Sequence, residues 1–120
     1  MLENHPGALA ELCSGLARLA VNISAIQAIE AKPIGPVRLI VSHLDVAKRV
    51  CDALKLKYTE EDVITVKVGD RPGSLGKVTR KLAEEGINIE YCYGSISKGS
   101  TQALIVLGVS DVVVASRLVK

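Results

Sequence analysis

The stretch Asp70-Arg71-Pro72-Gly73-Ser74-Leu75 has identical or similar residues at most positions of the earlier stretch Asn4-His5-Pro6-Gly7-Ala8-Leu9. The distance along the chain from Asn4 to Asp70 also separates Val21-Asn22-Ile23 from Ile87-Asn88-Ile89. Ten of the 51 residue pairs aligned at this spacing without a gap are identical. The matches fall at a Pro-Gly turn, on an apolar helix face and after a helix end. The sequence therefore indicates an internal duplication of one structural unit.

The second copy carries the clearer local signals. Val63–Val68 is rich in β-branched residues and predicts a strand. Pro72 is expected in the first turn of the helix that follows, where its missing N–H is tolerated, with Asp70 as its cap. Gly86 is expected to end that helix in a left-handed conformation. One apolar helix face is predicted for Leu75, Val78, Thr79 and Leu82.

The rest of each unit is expected to follow the same order in both copies. Strands are predicted at about 22–31 and 88–97, and a very apolar strand follows each of them. Second helices are then predicted to begin at Asp45 and Asp111, which would cap them. Leu56–Thr59 would be the closing strand of the first unit.

A strand–helix–strand–strand–helix–strand order is the ferredoxin-like pattern, an α+β fold with an antiparallel sheet and both helices on one face. At the spacing that leads from Asn4 to Asp70, two complete copies would be longer than this chain, which has 120 residues. We therefore expect a first unit at 1–60 that lacks most of its first strand. The second unit, at 63–120, is expected to lack its last strand.

The two turns carry the most useful chemistry. A helix N-terminus offers unpaired N–H groups and a positive dipole end, which together favour an anion such as a carboxylate. Gly7 and Gly73 would let a small ligand approach the backbone. Asp70 suits an ammonium group, and Asn4 can both donate and accept. The alternative interpretation is that each turn is only a good helix start.

Asn22 and Asn88 recur in phase, each after a helix end and at the start of a strand. A turn-forming asparagine is the simpler interpretation for either copy alone. A helix of about 14 residues, roughly 21 Å, would separate each asparagine from the turn of its own unit. Two units packed side by side would instead pair Asn4 with Asn88, and Asp70 with Asn22.

The Asx-x-Pro-Gly turn that opens an amphipathic helix, followed by Val/Ile-Asn-Ile, resembles the ACT domain. The duplicated motif covers nearly the whole chain and is similar to small stand-alone tandem ACT proteins of prokaryotes. The resemblance implies an amino-acid ligand held by the turn of one unit and the asparagine of its neighbour. The positions that it implies for ligand binding are Asn4, Pro6, Gly7, Asn22, Asp70, Pro72, Gly73 and Asn88.

The resemblance also implies regulation rather than catalysis, with no cofactor. His5 and Asp70 stand where the family more commonly has arginine and asparagine, so the equivalence of the two sites is left open. Expected partners are an amino acid or similar small ligand, further copies in a homo-oligomer, or an enzyme of amino-acid metabolism. A structural or dimerisation module without ligand is the alternative, and an enzyme is a third class.

Composition argues against several other functions. The 15 basic and 13 acidic residues leave a net charge of +2 with no basic arm, and three tyrosines are the only aromatics, so a nucleic-acid partner is not expected. Gly69–Lys77 fails the phosphate-loop pattern at Arg71 and Val78. Neither a metal site nor a catalytic constellation is recognisable.

Location is also predicted from absences in the sequence. The longest apolar stretch, Ala103–Val109, is far shorter than the roughly 20 residues that span a bilayer, so no membrane segment is expected. The three cysteines are an odd number without a CxxC pair, which argues against a disulfide framework. A cytoplasmic location is the resulting expectation.

Overall fold

The computed structural model describes residues 1–29, 32–96 and 101–119, which form two compact units, Met1–Glu60 and Glu61–Lys120. The first unit contains β1 (Leu2–Glu3), α1 (Ala8–Arg18), β2 (Ile23–Ala28), β3 (Ile34–Gly35), β4 (Val37–Val41) and α2 (Leu44–Ala53). The second unit contains β5 (Ile64–Gly69), α3 (Ser74–Glu84), β6 (Ile89–Ile96), β7 (Gln102–Val109) and α4 (Val112–Leu118).

The second unit is built on a three-stranded antiparallel sheet in the order β5-β7-β6. Its β5 strand alternates strictly, with Ile64, Val66 and Val68 buried and the residues between them exposed. Both helices pack against β5, and Leu82 of α3 and Ala115 of α4 are completely buried. The predicted α+β fold with antiparallel sheets is confirmed.

The first unit has the same helices but a divided sheet. Strand β4 pairs with β2, and the two-residue β1 pairs with β3, which Pro36 separates from β4. Proline has no N–H to contribute to a ladder, so it interrupts the strand. The core gathers around Leu12 and Leu16 of α1 and Val50 of α2. Among the helices described, none has the length and apolar character needed to span a membrane.

The ungapped alignment of the two copies is wrong in its second half. Leu2 pairs with Gly35 in the first unit, and its counterpart Val68 pairs with Ala103 in the second. The spacing between the two copies is therefore constant through β2 and two residues longer from β3 onward. The β2–β3 connection is two residues shorter than its counterpart in the second unit. At the corrected spacing six pairs are identical: Leu39/Leu107, Val41/Val109, Ser42/Ser110, Val46/Val114, Ala47/Ala115 and Arg49/Arg117.

This change of spacing explains one wrong prediction about the second helices. His43, not Asp45, is the N-cap residue of α2, and Asp45 lies in the first turn. The counterpart of His43 at the corrected spacing is Asp111, whose Oδ1 accepts from the N–H of Val114 at 3.1 Å. The predicted cap is therefore confirmed for Asp111 alone.

Four other local predictions are also wrong. Gly73 is the N-cap residue of α3, so Asp70 is not the cap and Pro72 precedes the helix instead of lying in its first turn. Leu75 is 37% exposed, so the buried face of α3 begins further along the helix. Residues 56–59 form no strand, although the N-terminal ammonium of Met1 donates to the carbonyl of Lys57 at 2.9 Å.

The prediction for Gly86 is confirmed, because it follows α3 with a φ of +70°. Its counterpart after α1 is Ala20, which adopts a φ of +57°. The left-handed region brings a Cβ too close to the following carbonyl oxygen, so alanine is strained there and glycine is not. The first unit therefore holds a less favourable residue in the same helix-terminating conformation.

We expect Ala20→Gly to raise the free energy of unfolding by about 0.5–1 kcal/mol. Glycine relieves the backbone strain of the folded state by more than it stabilises the unfolded chain through added conformational entropy. Gly86→Ala should lower it by about 1 kcal/mol for the converse reason. Urea unfolding measures both. The matched control is Ala17→Gly, inside α1, which should destabilise by about 1 kcal/mol. A destabilising effect of Ala20→Gly equal to that of the control would contradict the explanation.

Candidate functional site

The two strand-to-helix turns have nearly the same backbone geometry. Gly7 has φ +91° and ψ −17°, and Gly73 has φ +88° and ψ −11°. Both lie in the left-handed region that side chains other than glycine rarely adopt. No heavy atom lies within 4 Å of an ideal Cβ at either position, apart from the chain neighbours. The glycines are therefore required by the backbone angle, and the space in front of each turn is open.

Each turn leaves a set of backbone donors unused. Within the described residues, the N–H groups of Gly7, Leu9 and Ala10 donate to no acceptor. The same is true of the N–H groups of Gly73, Leu75 and Gly76. Neither helix has a side-chain cap that would satisfy them. These donors lie at the positive end of each helix dipole, so the arrangement favours a carboxylate or a similar anion.

Asn4 and Asp70 are fixed by the sheet and not by the helices. The N–H of Asn4 donates to the carbonyl of Pro33 at 2.9 Å, and that of Asp70 to the carbonyl of Thr101 at 2.8 Å. Both side chains are exposed, and neither has a hydrogen-bond partner within the described residues. Each turn therefore presents one uncommitted polar side chain beside the unused backbone donors.

The next residue along the chain differs between the two turns: His5 follows Asn4, and Arg71 follows Asp70. His5 Nε2 lies 3.1 Å from Glu3 Oε2, and His5 Nδ1 lies 3.0 Å from the carbonyl oxygen of Pro6. The Pro6 carbonyl, and then Glu3, raise the pKa of His5, because both accept hydrogen bonds from the protonated ring and so favour it. Arg71 instead folds back over Gly69, the counterpart of Glu3, with its Nε 3.3 Å from an ideal Cβ there.

A cavity of about 170 Å³ borders the turn of the first unit. Its polar lining includes Asn4 and His5, and its apolar lining includes Leu9, Ala28 and Ile29. Its volume is that of a small molecule. The turn therefore lies beside a space that combines an apolar wall with polar groups at one end.

The backbone groups of Asn22 and Asn88 each make a pair of hydrogen bonds with a serine, one to its hydroxyl and one from its N–H. The N–H of Asn22 donates to Ser42 Oγ at 2.9 Å, and the N–H of Ser42 donates back to the Asn22 carbonyl at 2.9 Å. Asn88 and Ser110 make the same pair at 2.9 Å and 3.0 Å. Both asparagine side chains are exposed and without a hydrogen-bond partner in the described residues.

The two serines are residues that the sequence interpretation missed. Ser42 and Ser110 correspond only at the corrected spacing, so the ungapped comparison did not pair them. A register shift also recurs directly after the asparagines, between Ile23 and Ala25 and between Ile89 and Tyr91. A bulge of this kind bends the strand and redirects its side chains.

Within one unit, the turn and the asparagine lie at opposite ends of a helix. Helices α1 and α3 have 11 residues each, which corresponds to about 16 Å. The structure therefore places Asn4, Pro6 and Gly7 together at one end of α1 and Asn22 at the other. Asp70, Pro72 and Gly73 are likewise separated from Asn88 by α3.

Within residues 1–29, 32–96 and 101–119, no group of three His, Cys, Asp or Glu side chains is placed to hold a metal ion.

Comparison with known proteins identifies a matching family model and a similar solved structure. Residues 63–116 match the family model of the ACT domain. Protein BT0572 from Bacteroides thetaiotaomicron is 31% identical, with a TM-score of 0.89 over 98% of this chain and 80% of that chain. No curated protein matches the sequence.

Two more distant structures share the fold. The ligand-free regulatory subunit of aspartate kinase from Thermus thermophilus is 18% identical, with a TM-score of 0.70 over 98% of this chain and 85% of that chain. A structure of aspartokinase alpha and beta subunits is 21% identical, with a TM-score of 0.63 over 98% of this chain and 83% of that chain.

We expect the NMR titration of His5 to show a pKa above the ordinary value of about 6.5. Because the folded-state pKa is raised, the associated stabilisation is fully present below the unfolded-state pKa and is lost as the pH rises through the folded-state pKa. Glu3→Gln should lower the pKa only in part, because the Pro6 carbonyl remains. The control is His5 in the urea-unfolded protein. An equal pKa in both states would contradict the described contacts.

Ser110→Ala should lower the free energy of unfolding by about 1 kcal/mol, because the Asn88 N–H loses its acceptor. Ser116→Ala is the matched control, since its Oγ donates to the Val113 carbonyl within the same helix, α4. Chemical denaturation measures both variants. Equal effects of the two substitutions would show that the Asn88–Ser110 pair contributes nothing specific.

Proposed function

Because the chain belongs to the ACT domain family, we propose that it is a regulatory module that binds a small molecule, with an amino acid as the first candidate. The observation that carries this proposal is the duplicated turn. At each copy of the turn, three backbone N–H groups at a left-handed glycine have no acceptor among the described residues, and they lie beside an exposed asparagine or aspartate. The proposed module has no catalysis of its own and uses no cofactor.

The chemistry of an amino acid suits the groups at each turn. Its carboxylate would accept from the unused backbone donors, where the helix dipole adds to the attraction. Its ammonium would donate to Asp70 at one turn and to the Asn4 side-chain oxygen at the other. Asp70 carries a formal charge and Asn4 does not, so we expect the two sites to differ in affinity.

We propose that the asparagine after a helix completes the site of a different ACT unit. The exposed side chains of Asn22 and Asn88 support this role, because the serine pairs fix their backbones and leave both amides uncommitted. In this arrangement Asn4 would act with Asn88, and Asp70 with Asn22. Pro6 and Pro72 would contribute by fixing the turn, since proline restricts its own φ. The units could come from one chain or from a homo-oligomer.

The regulated partner is proposed from the relatives. Two structures with this fold are described as a regulatory subunit of aspartate kinase and as aspartokinase subunits. We propose by analogy that this chain modulates an enzyme of amino-acid metabolism. A cytoplasmic location is part of the same proposal, and its three free cysteines are consistent with a reducing compartment.

A structural or dimerisation module is the second candidate, and a specific observation favours it. Leu9 and Leu75 occupy equivalent positions in the first turns of α1 and α3, and they are 38% and 37% exposed. Exposed leucines at equivalent sites suit association between units. Association would draw on the apolar area of the two leucine side chains and ligand binding on the backbone donors, and Leu9 also lines the cavity beside its turn.

The proposal is tested by thermal unfolding of the full chain with each proteinogenic amino acid. We expect at least one to raise the midpoint, since ligand at a hundredfold excess over Kd adds about 2.7 kcal/mol to the folded state. Asn88→Ala and Asp70→Asn should each reduce the shift. Ser14→Ala, an exposed change in the middle of α1, is the control and should leave it unchanged.

A flat response to every amino acid at millimolar concentration would reject amino-acid sensing. If concentration-dependent association were then abolished by Leu9→Lys and Leu75→Lys, the dimerisation module would be the better account. A shift that Asn88→Ala and Asp70→Asn leave intact would place the ligand elsewhere.

A further inference from the structure

The cavity beside the first turn has one wall built on the β2–β4 ladder. Ala28 ends β2, Ile29 follows it, and Val37 begins β4, and all three line the cavity. Ala28 and Val37 are paired across the ladder. The name β2–β4 wall is used below for these three side chains. They give the cavity a hydrocarbon surface on this side.

The second unit has a different surface at the counterpart of this wall. Gly94 and Ile105 take the places of Ala28 and Val37, and they are paired in the β6–β7 ladder. An ideal Cβ at Gly94 would lie 2.5 Å from Ile105 Cδ1, so the isoleucine side chain already fills the space over the glycine. In the first unit Ala28 supplies its own methyl group there, and Val37 has no Cδ1. The two walls therefore differ in shape.

The surroundings of the first turn are also less polar than those of the second. Ser95 stands where the first unit has Ile29, and Ser74 stands where it has Ala8, which also lines the cavity. Each serine puts a hydroxyl where the first unit has hydrocarbon. Ile29 is 47% exposed, so its side chain is accessible to a ligand in the cavity. The first unit therefore favours an apolar group at this place more strongly than the second.

The charged groups that border the cavity pair with each other. Glu3 and His5 line it, and His5 Nε2 lies 3.1 Å from Glu3 Oε2. Among the described residues of the lining there is no lysine or arginine. A charged ligand side chain would therefore have to displace this pair to find a counter-charge. An uncharged side chain avoids that cost.

Two residues connect this cavity to the groups of the proposed amino-acid site. Asn4 and Leu9 both line it. The Asn4 side-chain oxygen is the proposed acceptor for the ammonium group, and the Leu9 N–H is one of the donors proposed for the carboxylate. Ammonium, carboxylate and side chain share one carbon in an amino acid. A ligand held at Asn4 and Leu9 would therefore have its side chain within reach of the β2–β4 wall.

The volume of the cavity limits the size of that side chain. An apolar cavity of roughly 150 Å³ can hold a benzene molecule. The cavity beside the first turn has about 170 Å³, and the ammonium and carboxylate would take part of it. The remaining space suits an aliphatic chain of about two to four carbons.

We propose that this cavity is the side-chain pocket of the first site and that it selects amino acids with short aliphatic side chains. Hydrocarbon that is buried against the β2–β4 wall adds affinity, whereas a hydroxyl or charged group there loses water without gaining a partner. The inference rests on the proposed function, because it takes the first turn as the place where the charged groups of the ligand bind. It concerns the ranking of ligands at one site and not the ranking of the two sites.

The test is an NMR titration of the ¹⁵N-labelled full chain with alanine, 2-aminobutyrate, valine and threonine. The Kd at the first site is taken from the amides of Gly7, Leu9 and Ala10. We expect the affinity to rise about fourfold with each carbon added from alanine to valine, as for one buried methylene. Threonine has the shape of valine with a hydroxyl in place of one methyl, so it should bind about tenfold more weakly than valine.

The variant Ile29→Ser gives the β2–β4 wall the residue type of Ser95. Because Ile29 is 47% exposed, this variant is expected to fold. It should weaken valine binding several-fold and bring the affinities of valine and threonine close together, while alanine binding changes little. The matched control is Leu44→Ser, at a 49% exposed leucine of the same unit that does not line this cavity. The control should leave the preference for valine unchanged.

The possible outcomes separate this inference from the proposed function. Saturable binding at the first turn with equal affinity for alanine and valine, or with threonine preferred to valine, would overturn the inference and leave the proposed function standing. A preference for valine that Ile29→Ser leaves intact, or that is equally large at the amides of Gly73, Leu75 and Gly76, would also overturn it. If no amino acid shifts the amides of either turn, both are wrong.

Discussion

The left-handed glycine at each strand-to-helix turn is the constraint on which the candidate site depends. A φ near +90° at Gly7 and Gly73 reverses the chain sharply enough for the helix to begin without a side-chain cap. The first helical N–H groups therefore remain available to a ligand. A side chain with a Cβ would strain this turn even though the space in front of it is open. The same angle that ends the strand thus also exposes the donors.

Local signals in the sequence predict those elements whose cause is local. The strand at Val63–Val68, the left-handed end at Gly86 and the cap at Asp111 follow from residue type and position, and the structure contains all three. The placement of Asp70 and Pro72 was mispredicted because a glycine in the left-handed region moved the helix start to Ser74. That geometry depends on a backbone angle, which a capping pattern alone does not specify.

The change of spacing between the two copies explains most of what the sequence could not supply. An ungapped repeat matches Asp45 to Asp111, although strand pairing makes His43 the counterpart of Asp111. The change falls in the connection between β2 and β3, where length varies without disturbing the core. The serines that hold Asn22 and Asn88 were missed for the same reason, because their role depends on which strand residues are opposite each other.

The most direct test of the central claim is an NMR titration of the ¹⁵N-labelled chain with the amino acid that stabilises it most. The account predicts that the largest amide shifts occur at Gly73, Leu75 and Gly76, with Gly7, Leu9 and Ala10 following at the second site. These are the backbone donors that lack acceptors within the described residues. Saturable shifts that leave all six amides unchanged would contradict the claim that the turns bind the ligand.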